Sequence, residues 1–262
     1  MAPATCINRG VAVLLVLAGL SSAALAQFVP INGNVFDGSG GPLLTGTVYH
    51  ATGVVTIPAG QTLTIQPGAI VKFSLNTQLT VTGSLMAPGT AGQPIVLTSL
   101  TDDSAGGDTN GDGPSVGAPN FWNGVNFGAA NSSNVSYVTA RFGGRNGIAL
   151  FHVNGGSITA DHCTLTDSQV AALDLNSSTG TFSFSNCAFN NSNAAVMEVP
   201  ISKVPGFTNN TASGNTVHDG IAISDGAVNS NFSIVPANLI NGVLHCGVAI
   251  PIAAAATLTL AA

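Results

Sequence analysis

Cationic side chains are nearly missing from this 262-residue chain: five lysines and arginines stand against eleven acids, for a formal net charge of −6. That balance excludes a nucleic-acid partner, because neutralising phosphates takes clustered Lys and Arg. Charged residues of either sign amount to 6% of the chain, yet 45% is apolar, so the poverty of charge does not signal disorder. Cysteine is sparse too. Beyond Cys6 there are Cys163, Cys187 and Cys246, an odd number without zinc-type spacing, which excludes a disulfide framework as the basis of the fold. Aromatic platforms of the kind that line sugar-cleaving grooves are few, with Trp122, Tyr49, Tyr137 and scattered Phe.

Long apolar runs are also lacking. The stretch Val11 to Leu20 follows Arg9 and precedes Ala24-Leu25-Ala26, the layout of a cleavable export signal. It falls short of the roughly 20 residues that span a bilayer. A lipid anchor would want Cys where Leu20 stands. The expectation is therefore a signal peptide at 1–26 and a secreted or cell-surface chain from near Gln27, with no membrane span after signal removal. The remainder, 27–262, reads as one domain, whose cations are Lys72, Arg141, Arg145 and Lys203.

What the chain does have is a repeat. Apolar-polar-apolar triplets recur, among them Leu63-Thr64-Ile65, Leu79-Thr80-Val81, Val125-Asn126-Phe127, Ile148-Ala149-Leu150, Leu173-Asp174-Leu175 and Ile221-Ala222-Ile223. Period-two alternation of this kind marks strands with one buried face. The triplets keep step: Val125, Ile148, Leu173, Met197 and Ile221 follow one another at 23, 25, 24 and 24 residues. A second column joins Val135, Ile158, Phe182 and Phe207, and a third joins Phe142, Leu165 and Phe189.

A fixed period built from short strands and turns means a solenoid, here an all-β parallel β-helix with coils of 23–25 residues. One coil cannot bury its inward residues alone, whereas coils stacked about 4.8 Å apart share hydrogen bonds and align like residues. Asn and Gly at the corners supply the positive φ that the turns need. The alignment predicts Ile148, Leu173, Met197 and Ile221 as one buried ladder, with Ala149, Asp174, Glu198 and Ala222 facing out. The stretch Ala249 to Ala262 repeats the spacing of Val55, Ile57, Leu63 and Ile65. It reads either as a last degenerate coil or as a second copy in which the chain is truncated.

A family resemblance rests on Ile57-Pro58-Ala59-Gly60-Gln61-Thr62-Leu63-Thr64-Ile65, Pro67-Gly68-Ala69-Ile70-Val71-Lys72-Phe73 and Gly83-Ser84-Leu85-Met86-Ala87. These stretches, with Phe121-Trp122-Asn123-Gly124-Val125 and the later coils, resemble secreted bacterial right-handed parallel β-helix repeat proteins of the pectate-lyase-like superfamily. The resemblance implies a right-handed β-helix. It leaves activity open, since such proteins include polysaccharide lyases and hydrolases alongside adhesive and structural surface proteins.

Two constellations bear on chemistry. In the insert spanning 99–121, Asp108, Asn110 and Asp112 alternate and are followed by Gly113, as in the first half of an EF-hand loop, and point to a structural calcium ion. Pro119 stands where the bidentate Glu would be, so Asp102 or Asp103 would complete the shell. The expected metal set is Asp103, Asp108, Asn110 and Asp112. The second constellation is the outward pair Asp174 and Glu198, one strand spacing apart, a separation that resembles the carboxylate pair of a retaining glycosidase.

Pectate-lyase-like chemistry would want a basic residue, for which Arg141 and Arg145 are the candidates. His152, His162 and His218 share no metal-binding spacing and read as surface or turn histidines. Cys163 and Cys187 fall in one column and read as a reduced buried pair. The sequons at Asn131, Asn134, Asn176, Asn209 and Asn231 occur as expected by chance in a chain so rich in Asn, Ser and Thr. Three classes follow: a structural, adhesive or carbohydrate-binding surface protein without an evident catalytic site, whose partner is extracellular polysaccharide or cell-surface material, a polysaccharide lyase or glycoside hydrolase acting on an extracellular polysaccharide, and a scaffold segment of a longer secreted protein. The first is the expectation, because acids, bases and aromatics do not converge in the sequence.

Overall fold

The computed structural model describes residues 27–128, 132–175, 180–194, 196–223, 226–229, 231–246, 249–254 and 256–261. The signal segment and the sequons at Asn131 and Asn176 lie outside them. The chain is all-β, with parallel sheets stacked as a solenoid of about nine turns.

Each regular coil has three faces. The first carries Thr62–Thr64, Ser84–Pro88, Ser132–Ser136, Ser157–Asp161, Phe182–Ser185 and Phe207–Thr208. The second carries Ile70–Phe73, Ile95–Ser99, Val138–Arg141, Thr164–Thr166, Ala188–Asn190 and Thr211–Ser213. The third carries Gln78–Val81, Gly124–Phe127, Phe151–Val153, Leu173–Asp174, Met197–Val199, Ile221–Ile223 and Leu244–Cys246. The long strand Val48–Ile57 links the second face to the third, since Val48 to Ala51 pair with Ile70 to Phe73 and Val55 to Ile57 pair with Leu79 to Val81. Inward residues of all three faces meet in one apolar core running from Ile31 to Ile240.

Alternation predicts the faces of most strands, Ile148 and Ala149 excepted, but the inferred period misassigns partners, on the third face at one coil. Val125 pairs with Phe151, not Ile148, and Phe151 then pairs with Leu173, Leu173 with Met197, and Met197 with Ile221. A 3-10 turn at Arg145–Gly147, with Asn146 at φ 58°, takes up the extra residues. Ile148 is left half-buried, and Ala149, expected outside, is 3% exposed. The other columns shift by two residues and so keep their face. Val135 stacks on Ala160, Phe184 and Phe207, whereas Ile158 stacks on Phe182. Leu165 and Phe189 follow Ala140, because Phe142 sits in a left-handed turn at φ 65°.

Corners repeat as well as strands. Tyr137, His162, Asn186 and Asn209 each follow a first-face strand with φ between 48° and 54°. The first three donate their backbone N–H groups to Asp161, Ser185 and Thr208 of the next coil. An asparagine tolerates this conformation because its short side chain bonds locally. Cys163 and Cys187 stand just past this corner, both buried and free, with the Cys163 N–H donating to the Cys187 Sγ at 3.4 Å. Hydrogen bonding to Cys163 and burial push the Cys187 thiol well up.

Candidate functional site

The insert leaves the second face at Ser99 and returns at Trp122 for the third. Few of its side chains are apolar, and two cations of the coils tie it down. Arg141 places Nη2 at 2.6 Å and Nε at 2.8 Å from Asp102 Oδ2. Thr98 donates to the same oxygen and Ser104 to Oδ1, each at 2.6 Å. Asp102 is only 1% exposed; a carboxylate so buried is tolerable because every partner is a donor. Arg141, expected as a possible base, is thus committed to an ion pair, and Asp102 is withdrawn from the acidic cluster. Arg145 likewise turns back into the protein, donating from Nη1 to the Asn120 carbonyl at 2.9 Å.

Lys72 is the second tie. It is fully buried beneath the insert and donates to the Gly107 carbonyl at 2.6 Å, with Asp103 Oδ1 at 3.9 Å. Burial holds its ammonium below the ordinary range, against the pull of Asp103 and then Asp102, Asp108 and Asp112. Where the insert returns, Trp122 stacks on Phe73 at 4.1 Å and donates Nε1–H to the Arg141 carbonyl at 2.8 Å.

The insert brings carboxylate oxygens of Asp103, Asp108 and Asp112 within 4.8 Å of one another. Two oxygens on opposite sides of one calcium ion, each bonded at about 2.4 Å, are separated by that distance. Asp108 is already shaped as a turn acceptor, taking the N–H groups of Gly111 at 2.7 Å and Gly113 at 3.1 Å. Asp103 takes the Ser115 N–H on Oδ2, while its Oδ1 is buried without a hydrogen-bond partner. Asn110 spends its amide N–H on Asp112 at 2.8 Å. Of the four expected ligands, three carboxylates therefore converge.

The third face holds the other constellation, and the shifted register changes its membership. Its outward column runs Thr80, Asn126, His152, Asp174, Glu198, Ala222 and His245 on successive rungs. Asp174 and Glu198 are adjacent as expected, but the Glu198 side chain lies outside the described residues. His152, expected as a surface or turn histidine, takes the place expected for Ala149 and lies 3.0 Å through Nδ1 from Asp174 Oδ2. Both are about three-quarters buried. An open cavity of about 260 Å³ borders Asp174, with Gly147, Ala149, Val170, Ala171 and Ala194 along its wall. His162 sits at a corner, bonded to Asp161 at 2.8 Å and stacked on Tyr137, away from this column. His218 packs against His245 with ring centroids 3.9 Å apart. The three-residue turn that moves His152 into register follows Gly143-Gly144 in the sequence, the one local signal that could have located the shift.

On the first face two adjoining shallow depressions of about 180 and 210 Å³ share Thr181 and Phe182. Hydroxyls of Ser132, Ser157, Thr159 and Ser183 border one, and Ser202 with Lys203 borders the other. Lys203 lies over the Phe182 ring at 5.1 Å. No family model, curated protein or solved structure matches the chain. The geometry alone carries the functional reading. No helix among the described residues is long and apolar enough to cross a membrane.

Proposed function

We propose that this chain is an exported β-solenoid that binds extracellular polysaccharide as an adhesive or structural protein. The observation that carries this reading is the hydroxyl-lined trough of the first face. Its two adjoining depressions are shallow and open, so they offer several weak hydrogen bonds to a passing chain rather than one enclosing pocket. The Lys203 ammonium at one end suits an acidic sugar. Parallel stacking repeats the hydroxyls at the strand spacing of about 4.8 Å, a regular array for a polymer with its own repeat.

Binding of the mature chain to immobilised acidic and neutral polysaccharides tests this directly. Retention on at least one polymer is expected, with Lys203→Gln weakening retention on acidic polymers most. Release of reducing ends or of unsaturated sugars, abolished by Glu198→Gln, would instead establish the lyase or hydrolase reading.

The insert has a separate role in this proposal: Asp103, Asp108 and Asp112 hold a structural calcium ion. The buried Asp103 Oδ1, which accepts no hydrogen bond and faces only the Lys72 ammonium at 3.9 Å, supports it. Because binding to the folded state stabilises by about RT ln(1 + [L]/Kd), the melting temperature should rise with millimolar calcium and fall with chelator. Asp108→Asn combined with Asp112→Asn should remove that response. An unchanged melting curve in chelator, with no heat on calcium titration, would leave the insert held by protein contacts alone, those of Lys72 and Arg141 among them.

A further inference from the structure

We infer that the first-face trough selects a glycan in which acidic and neutral sugar units alternate, the acidic unit beside Lys203 and the neutral unit among the hydroxyls. The inference rests on the trough being a polysaccharide site and names the class of polymer it takes.

The two depressions are successive stations along the solenoid axis. Ser133, Ile158 and Phe182 are paired residues on consecutive rungs, and Gly206 precedes Phe207, which lies on the rung after Phe182. At about 4.8 Å per rung the trough covers about 14 Å, so a polymer that fills it crosses the strands and lays neighbouring units in the two depressions. Phe182 borders both and divides them. Its ring packs against Phe207 and Phe184, with centroids 6.0 and 6.4 Å away, and a side chain at Gly206 would begin 2.9 Å from its Cε2 atom. Glycine at that position lets the ring stand where it does.

Charge distinguishes the two stations. Lys203 borders the second, where its Nζ lies 5.1 Å from the Phe182 centroid and donates to the Gly180 carbonyl at 3.2 Å. An ammonium has three N–H donors, so donors remain for a carboxylate. A charge-assisted bond of that kind is roughly twice as strong as a neutral one. The first depression is lined by serine and threonine hydroxyls with Ile158 and Phe182, and none of its described residues is charged. An anionic unit placed there would give up water without gaining a counter-charge, which is unfavourable. The net charge of −6 further repels a polyanion charged at every unit. One lysine across two stations therefore matches one acid in every two sugars.

Chondroitin hexasaccharides test this on a constant backbone. In the unsulfated form uronate alternates with a neutral N-acetylhexosamine, O-sulfation puts a charge on the neutral unit, and carboxyl reduction removes the charge of the acidic one. Calorimetric titration of the full chain should show the unsulfated form binding most tightly. Carboxyl reduction and Lys203→Gln should each weaken it by about two- to fivefold, the range of an exposed ion pair, and together no further than either alone. Lys203→Arg should retain the affinity. Ser183→Lys, at an exposed position bordering the first depression, should raise affinity for the sulfated form. Circular dichroism identical to the parent shows that the coils remain folded in each variant. A carboxyl-reduced, sulfated form that matches the unsulfated one would show that Lys203 takes a sulfate as readily as a carboxylate, with the alternation intact. Tighter binding of the fully charged form than of the unsulfated one by the parent would overturn the alternation, as would equal binding of the unsulfated and carboxyl-reduced forms. If no chondroitin form binds while another polysaccharide is retained, the trough stands and the alternation fails.

Discussion

Phe151→Ala is expected to remove about 3 to 5 kcal/mol of stability, whereas Ile148→Ala, three residues earlier, removes about 1 kcal/mol or less. Phe151 is fully buried, stacked on Val125 and Leu173 in the inward column, and meets Phe127 edge-on at 5.3 Å. Deleting its ring leaves a cavity that the stacked coils cannot close, because each coil is held at a fixed rise by its neighbours' hydrogen bonds. Ile148 sits at the end of the 3-10 turn and is half-buried. Leu173→Ala, on the next rung, should cost about 2 to 5 kcal/mol by the same reasoning. Denaturant titration at equal protein concentration gives the comparison. A larger loss at Ile148 than at Phe151 would restore the simple 23-residue step and expel His152 from the Asp174 column.

Arg141→Ala should be costly for a different reason, by about 3 to 5 kcal/mol, because removing one partner of a buried pair strands the other charge. The stranded group is Asp102, which would keep only Thr98 and Ser104 as donors. Neutralising it relieves the penalty, so Asp102→Asn introduced into the Arg141→Ala chain should recover part of the loss. The sign of that second step separates a stranded charge from simple loss of packing, for which Asp102→Asn would only add damage. The loss should appear first in the insert rather than in the coils. Trp122, the chain's one tryptophan, is buried where the insert returns and bonds to the Arg141 carbonyl. Its fluorescence therefore reports detachment directly, and limited proteolysis between Asp102 and Gly117 gives an independent measure.

The strand alternation, stacked period and asparagine corners made the solenoid legible in the sequence, because each follows from local geometry repeated coil by coil. Val125, Leu173, Met197 and Ile221 were legible as inward residues for that reason, and the clustering of Asp103, Asp108 and Asp112 followed from their closeness along the chain. Periodicity does not determine how many residues a corner consumes. The turn at Arg145–Gly147 brings in three residues more than the 23 inferred for this coil, since Val125 pairs with Phe151, and only the hydrogen-bonded register shows that His152, not Ala149, stands beside Asp174. The ties of the insert were equally hidden. Lys72 and Arg141 read as isolated charges, since their partners lie 35 and 39 residues away. Composition and spacing decide what repeats; burial of a charge depends on which distant segment folds over it, and that is settled only when the coils stack and the insert closes on their second face.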